Sequence, residues 1–479
     1  MIRWGIIGAG NIASRFSASL KNEPDSVLVA VSCRTMEKAQ AFADKYGARK
    51  AYDSYEALLD DPDIDAVYVS LPHHLHRQWS IAAMEKGKAV LCEKPAALNT
   101  AETREILACA EKNRVLFMEA MKGRFTPAAV EIRQMLESGS LGKIRRIRAS
   151  FCYQMREEHI GKTYHTDSAA GGCLLDMGIY CASWLEEFFA QPWKLSRIRA
   201  ACRNGVEMYA EAFYTNGSQE AELECAFDRN GKQLVTIETE NAVLTVKNTH
   251  RPSGYILEKD GVVTEKDIPY INDDFYTEIS HFCSLLKEGK TESSVMTYSA
   301  ILHEAELIEA AKNSLHYTDE ALCLLQQEEE DLVFDSFDSS TAFAVGCLLK
   351  EEAEKEDREV MIRITRESDQ AVIFQYMMDS KSERNIVYAE GKRQASLLSG
   401  HASIWPHVKH SLDGSYEELF EKMPQVLPVG GAFPVTVNGE RAATICVSGL
   451  HEGKDHELIV RTLYRYLGKE KRDFPFMLV

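Results

Sequence analysis

No apolar run in the 479 residues approaches the roughly 20 needed to cross a bilayer. A strand pattern already starts at residue 2, leaving no room for a cleaved leader. The 12 cysteines form no C-x-x-C pair, and several lie within apolar stretches, where reduced core thiols are expected rather than disulfides or a zinc site. Positive charge is in deficit, with 55 Lys and Arg against 73 Asp and Glu and a net charge of −18, which argues against nucleic acid or an anionic membrane as partner. No long-period repeat or low-complexity tract is present. These absences together predict a cytoplasmic protein without a membrane segment.

The 45% hydrophobic and 27% charged content belongs to a globular protein with substantial cores. The length calls for two or three domains. Over residues 1–121, strand-like runs at 2–7, 27–32, 66–71, 89–92 and 115–119 alternate with helical patterns at 12–21, 36–46, 55–59, 77–86 and 100–112. That alternation implies βαβ units and a parallel sheet. From 122 to 315 the pattern changes to alternating strands with turn signals at Asn216-Gly217, Asn230-Gly231 and Asp260-Gly261, closed by helical stretches over 275–288 and 297–314. This predicts an α+β domain with a large open, mainly antiparallel sheet, of a kind that serves as a dimer face. The acidic tract Gln326–Asp331 marks 316–331 as a linker or exposed helix, and 332–479 forms a third α/β unit.

The first strand runs into Gly8-Ala9-Gly10-Asn11-Ile12-Ala13, a turn that lays a dinucleotide pyrophosphate on a helix N-terminus. The second strand ends at Ser32-Cys33-Arg34-Thr35, with no acid before Glu37. An arginine at this point accommodates a ribose 2′-phosphate, whereas an acid would hold a free 2′-hydroxyl, so NADP is favoured over NAD. Two more loops leave the same sheet edge: Leu71-Pro72-His73-His74-Leu75-His76, with His76 the preferred cofactor contact, and Glu93-Lys94-Pro95. A lysine at that mouth polarises a carbonyl that is gaining hydride. The three histidines have no matching Cys/Asp/Glu partners at metal spacing, so no metal is predicted. Further on, Asp176 and Tyr180 share a face at i,i+4 spacing if the segment is helical, an acid beside a proton donor whose phenol a nearby Lys94 ammonium would acidify. Taken singly, Lys94 also reads as a solvated loop cation, and Asp176 with Tyr180 as a capped helix with a packed tyrosine.

In order and spacing, the glycine turn, Leu71-Pro72 to His76, Glu93-Lys94-Pro95 and Gly171 to Tyr180 resemble the Gfo/Idh/MocA family of nicotinamide-dependent oxidoreductases, over about residues 1–315. Tyr180, with Met118 to Met121 and Asp176 to Cys181, is most similar to the dimeric dihydrodiol dehydrogenase and NADP-xylose dehydrogenase branch. The resemblance implies a Rossmann domain, Lys94 and Tyr180 as the catalytic pair with Asp176, hydride transfer to or from a sugar, polyol or diol, and a homo-oligomer. Where that branch carries an aromatic residue, this chain has Lys122, followed by Gly123 and Arg124. Lys122 and Arg124 are therefore candidate substrate contacts, and the change admits a more polar or anionic substrate.

Residues 330–475 resemble a heme-degrading-type, HbpS-like family, through Phe337-Asp338, Gly430 to Val435 and Val447 to His456. The resemblance implies a profilin-like α/β fold, and relatives bind heme or cobalamin. Tyr388 and Gly391-Lys392 replace the tryptophan and Arg-Lys pair common there. His456 is a candidate axial ligand or, as the favoured reading, a packed polar group, with dimerisation or regulation as the domain's role. The competing function is a non-catalytic NADP(H) sensor or scaffold whose C-terminal domain binds a tetrapyrrole or a protein partner.

Overall fold

The computed structural model describes residues 1–167, 170–203, 206–315, 319–355, 358–416, 423, 425–450 and 453–470. It divides the chain into two compact units, residues 1–196 with 203–314, and 315–479 with 197–202.

The first unit contains a parallel sheet of β1 (Ile2–Ile7), β2 (Ser26–Ser32), β3 (Lys50–Tyr52), β4 (Ala66–Val69), β5 (Ala89–Glu93) and β6 (Phe117–Ala120). They pair in the order β3-β2-β1-β4-β5-β6, every pairing parallel. The central strands are almost wholly buried, as sheets covered by helices on both faces require. Helices α1 (Asn11–Leu20), α2 (Met36–Tyr46), α3 (Tyr55–Leu59), α4 (His76–Glu85) and α5 (Thr100–Asn113) make the connections. β3 is absent from the sequence reading: Lys-Ala-Tyr has no apolar run, and its strand geometry comes from pairing with β2. Strand order reverses between β1 and β4, so the loops after β1, β4 and β5 open on one edge.

After α6 (Pro127–Glu137) comes a second sheet, of β7 (Ile144–Cys152), β8 (Lys194–Arg203), β9 (Val206–Thr215), β10 (Glu220–Ala226), β11 (Gln233–Thr239), β12 (Ala242–Lys247), β13 (Gly254–Lys259) and β14 (Val262–Asp267). Its order is β14-β13-β12-β11-β7-β10-β9-β8. The β7–β10 pairing is parallel and the other resolved pairings are antiparallel, so the sheet is mixed. Asn230-Gly231 does not close a hairpin, because β7 lies between β10 and β11. Asp260 and Gly261, both at positive φ, do turn β13 into β14. Helices α7 (Ile179–Phe188) and α9 (Tyr298–Asn313) pack on each other, with α7 against β7 and β10, and α8 (Tyr276–Lys287) precedes α9.

The second unit carries an antiparallel sheet of β15 (Met361–Arg366), β16 (Val372–Met377), β17 (Ala432–Val437) and β18 (Glu440–Ser448), ordered β16-β15-β18-β17. Residues 319–331, read as part of a linker or exposed helix, form the helix α10 (Asp319–Asp331), which buries Ala321 and Leu325. The apolar positions among its acids give it a packing face, so it belongs to the fold of this unit. α11 (Ser339–Lys355) packs against α14 (Lys454–Tyr466), while α12 (Glu383–Ser399) covers β17 and β18. α13 (Trp405–Asp413) is a further helix the sequence did not signal. Residues 471–479 of the expected third domain lie outside the described residues.

Candidate active site

A cleft of about 790 Å³ opens at the sheet edge of the first unit, a volume suited to a small-molecule or cofactor site. Gly8, Ala9, Gly10, Asn11 and Ile12 line it, and Arg34 does so from the end of β2. Gly8 has φ +100, and a Cβ there would lie 2.5 Å from the Ser70 carbonyl oxygen, so the turn can be made only by glycine. A Cβ at Gly10 would meet nothing within 4 Å, because that position faces the open cleft. α1 begins without a side-chain cap or an acid in its first turn, leaving its free N–H groups and positive dipole end available to an anion.

From the neighbouring loops Leu71, Pro72, Glu93 and Lys94 reach the cleft, and Asp176 and Tyr180 do so from the segment that enters α7. Asp176 and Tyr180 were expected on one regular helix. Instead residues Leu174–Gly178 form a π-helical turn that leads into α7, and the wider turn alters their spacing. Lys94 Nζ donates to the Asp176 carboxylate at 2.6 Å and to the Asp176 carbonyl at 2.6 Å, and it lies 4.8 Å from the centre of the Tyr180 ring. The Tyr180 hydroxyl makes no hydrogen bond to any described residue.

Burial alone would raise the Asp176 carboxyl, but the Lys94 ammonium, with His165 and His73, overrides it and holds the group below the ordinary carboxylate range. Tyr180 behaves in the opposite way from expectation. Burial first, then the Glu93 and Asp176 charges, push its phenol well above its ordinary value, and the cation over its ring face does not reverse this.

Two expected contacts are corrected. His76 does not line the cleft: it is fully buried, with Nδ1 2.7 Å from the Pro95 carbonyl and Nε2 2.7 Å from that of Leu71. It braces the two loops against each other, at the start of α4. Arg124 is likewise removed from the substrate set. Its guanidinium is buried, donating to Ser183 Oγ at 2.7 Å, Ser183 O at 2.9 Å and Glu304 at 2.8 Å, with Glu186 as a further partner. Lys122 stays beside the site, 5.7 Å from the centre of the Tyr180 ring.

Of the three loop histidines, His73 and His74 line the cleft where His76 was preferred. The sequence reading missed Tyr164 and His165, which line it near Asp176, and Arg15, Lys38 and Tyr55 farther along it. Arg15 and Lys38 follow the flagged turns by one helical step. Tyr164 and His165 belong to a loop with no local signal. Burial lowers the ring pKa of both His73 and His165. Among the described residues no group of three or more His, Cys, Asp or Glu is arranged to hold a metal ion, and no helix is long and apolar enough to cross a membrane. In the second unit His456 is buried, its Nε2 2.9 Å from Glu328. An axial bond through that nitrogen would have to displace the carboxylate, so the arrangement does not fit a heme ligand as it stands.

Residues 2–121 match the family described as oxidoreductase family, NAD-binding Rossmann fold, and residues 129–245 match the GFO/IDH/MocA C-terminal domain. Residues 337–463 match the family described as haem degrading protein HbpS-like. The chain is 32% identical over 328 residues to a trans-1,2-dihydrobenzene-1,2-diol dehydrogenase of Mus musculus, covering 66% of this chain and 98% of the relative. It is 32% identical over 321 residues to the scyllo-inositol 2-dehydrogenase (NADP(+)) IolU of Bacillus subtilis, covering 66% of this chain and 97% of the relative. The crystal structure of KijD10, a 3-ketoreductase of Actinomadura kijaniata in complex with NADP and TDP-benzene, superposes with a TM-score of 0.60 at 25% identity, over 65% of this chain and 97% of that one. With its Rossmann cleft, its mixed second sheet and relatives matched over nearly their whole length, the chain belongs to the Gfo/Idh/MocA family of oxidoreductases, and it carries an HbpS-like domain at residues 337–463.

Proposed function

We propose that this protein is an NADP-dependent dehydrogenase or reductase acting on a sugar, polyol or diol, with Lys94 and Tyr180 as its catalytic pair. The observation that carries this reading is the meeting of Lys94, Asp176 and Tyr180 in the same cleft as the glycine turn and Arg34. The residues fit a nicotinamide dinucleotide: an open backbone at Gly10, an uncapped helix N-terminus for the pyrophosphate and the Arg34 guanidinium for a 2′-phosphate. The names of the mouse and Bacillus relatives support the substrate class, and NADP in the IolU name and the KijD10 complex supports the cofactor.

When bound, the nicotinamide supplies or accepts the hydride. Lys94 then brings a positive charge to the substrate oxygen that gains charge as a carbonyl is reduced. Asp176 holds that ammonium in place through its carboxylate and its carbonyl. Tyr180, kept neutral by its burial, holds the proton that the same oxygen requires, and returns to that state through solvent at the cleft. In the oxidative direction the proton runs the other way.

Fluorescence titration with NADPH and NADH tests the cofactor, with tighter binding of NADPH expected and loss of that preference in Arg34→Ala. Lys94→Ala and Tyr180→Phe are expected to keep the melting temperature and lose turnover. Full activity in both variants on a confirmed substrate overturns the pair. We further propose the division 1–121, 122–315 and 332–479, with the last part an association or regulatory domain. Sedimentation of the full chain against a 1–315 truncation tests its role in assembly.

A further inference from the structure

The Asp176 carboxylate is only half used. Its Oδ1 accepts from Lys94 at 2.6 Å, while its Oδ2 accepts from no described residue. His165 Nε2 lies 3.9 Å from that second oxygen, and the His165 ring hydrogen-bonds no described residue either. Both side chains line the cleft and keep surface open, 28% for His165 and 20% for Asp176. Burial lowers the His165 pKa against the pull of Asp176, so the ring is neutral at physiological pH. A neutral imidazole carries one N–H, and the facing carboxylate favours that proton on Nε2. The gap is too long for a direct hydrogen bond and suits a shared one. A hydroxyl oxygen about 2.8 Å from each atom makes an angle of about 90° between them, accepting from Nε2 and donating to Oδ2.

The backbone on either side holds His165 in this place. The Gly172 N–H donates to the His165 carbonyl at 2.8 Å, and the Gly171 N–H donates to the Asp167 carbonyl at 2.7 Å. A Cβ at Gly171 would collide with the His165 carbonyl, so the loop lies directly against the backbone that leads into the π-helical turn. The ring is packed as well. Tyr164 lies against it at 3.9 Å, and His73 stands edge-on to both, 5.0 Å from Tyr164 and 6.2 Å from His165. His165 is thus fixed beside Asp176 without being bonded to it, which is the preorganisation a polar ligand group needs.

We propose that His165, together with Asp176 Oδ2, binds the substrate hydroxyl next to the reacting carbon, which makes His165 a specificity-determining residue for substrates with two adjacent oxygen functions. This rests on the hydride transfer at Lys94 and Tyr180 proposed above. Lys94 addresses the oxygen on the reacting carbon. Because Lys94 and His165 approach the two oxygens of one carboxylate, the substrate oxygens they address are close neighbours, as they are on adjacent carbons. A methylene in place of the second hydroxyl leaves the imidazole N–H and Oδ2 facing a group that can bond neither, the mismatch by which a polar site rejects an analogue.

The test uses pairs that differ only in the neighbouring hydroxyl: trans-cyclohexane-1,2-diol against cyclohexanol, and D-glucose against 2-deoxy-D-glucose. The full chain oxidises each with saturating NADP, and kcat/KM is read. We expect the hydroxylated member to be favoured about 100-fold or more. His165→Phe, which keeps the ring contact with Tyr164, should cut that ratio about ten-fold or more, and His165→Gln, which returns an N–H donor, should recover part of it. Equal turnover within the pairs, a ratio that His165→Phe leaves unchanged, or no turnover of either hydroxylated probe overturns the proposal. A failure of NADP to bind is a separate result, and it overturns the oxidoreductase reading on which the proposal rests. Melting curves of both variants show that a changed ratio comes from the site, and if His165→Phe does not fold, the comparison passes to His165→Leu.

Discussion

Lys94 donates to Asp176 twice, to its carboxylate and to its backbone carbonyl, each at 2.6 Å. The side chain of a β5 loop is thereby fastened to a π-helical turn 82 residues later, and the ammonium is held over the face of Tyr180. The backbone bond fixes position and the carboxylate fixes charge, which separates the two roles experimentally.

Asp176→Asn keeps the backbone acceptor but removes the counter-charge. We expect turnover to fall about 100-fold or more, with NADPH affinity little changed. The carboxyl is depressed in the folded protein, so its stabilisation is complete above about pH 4 and fades as the pH drops through the lower folded value. Denaturant melts should therefore show the native protein more stable than Asp176→Asn at pH 7, with the gap closing toward pH 3. An unchanging gap would remove the ion pair from the account.

Gly8 and Gly10 should respond differently to alanine. At Gly8 the new Cβ meets the Ser70 carbonyl at 2.5 Å in a positive-φ backbone, and we expect a loss of about 1–3 kcal/mol of stability. At Gly10 the Cβ points into open cleft, so melting should be unaffected while NADPH binding weakens about ten-fold. Differential scanning calorimetry and a cofactor titration on the two variants check both halves.

Arg124→Met is expected to act on the fold rather than on the substrate. It leaves the fully buried Glu304 without its guanidinium, a change of about 3–5 kcal/mol in comparable buried pairs. Equilibrium unfolding reads the loss. A variant of native stability with a raised KM would return Arg124 to the substrate site.

Glu119 gives the first unit a pH dependence of opposite sign to that of Asp176. Burial raises its carboxyl from 4.5 to about 7, against the pull of the Ala96 N–H that it accepts at 2.9 Å. Between about pH 4.5 and pH 7 the folded protein holds a proton that the unfolded chain has released, so stability declines as the pH rises through that window. Glu119→Gln, which keeps an acceptor for Ala96, should flatten the decline. Unfolding curves at intervals across the window measure it.

The parts of the site legible in the sequence were those carried by local geometry. A glycine turn after a strand, Arg34 at the end of the next strand and a lysine before proline each announce themselves within a few residues, and the structure brings them to one cleft. The errors were in side-chain destination. His76 and Arg124 had the chemistry of contacts, but their partners, the carbonyls of Leu71 and Pro95 and the acids of α7 and α9, are set by packing. The short β3 and the packing of α10, read as a linker or exposed helix, were hidden for the related reason that neighbours, rather than local pattern, decide them.

The sequence by itself determined the βαβ order, the turn at Gly8 and the chemical inventory of the cleft, because strand period, glycine stereochemistry and side-chain type are properties of the chain. Only the tertiary structure decided which charges are already spent. Lys94 is tied to Asp176 and Arg124 to Glu304, while Lys122 lies buried over the Tyr180 and Phe275 rings, 3.9 Å from Asp274. Pairing and desolvation depend on distances between residues far apart in the chain, and those distances are set when the sheets and helices pack.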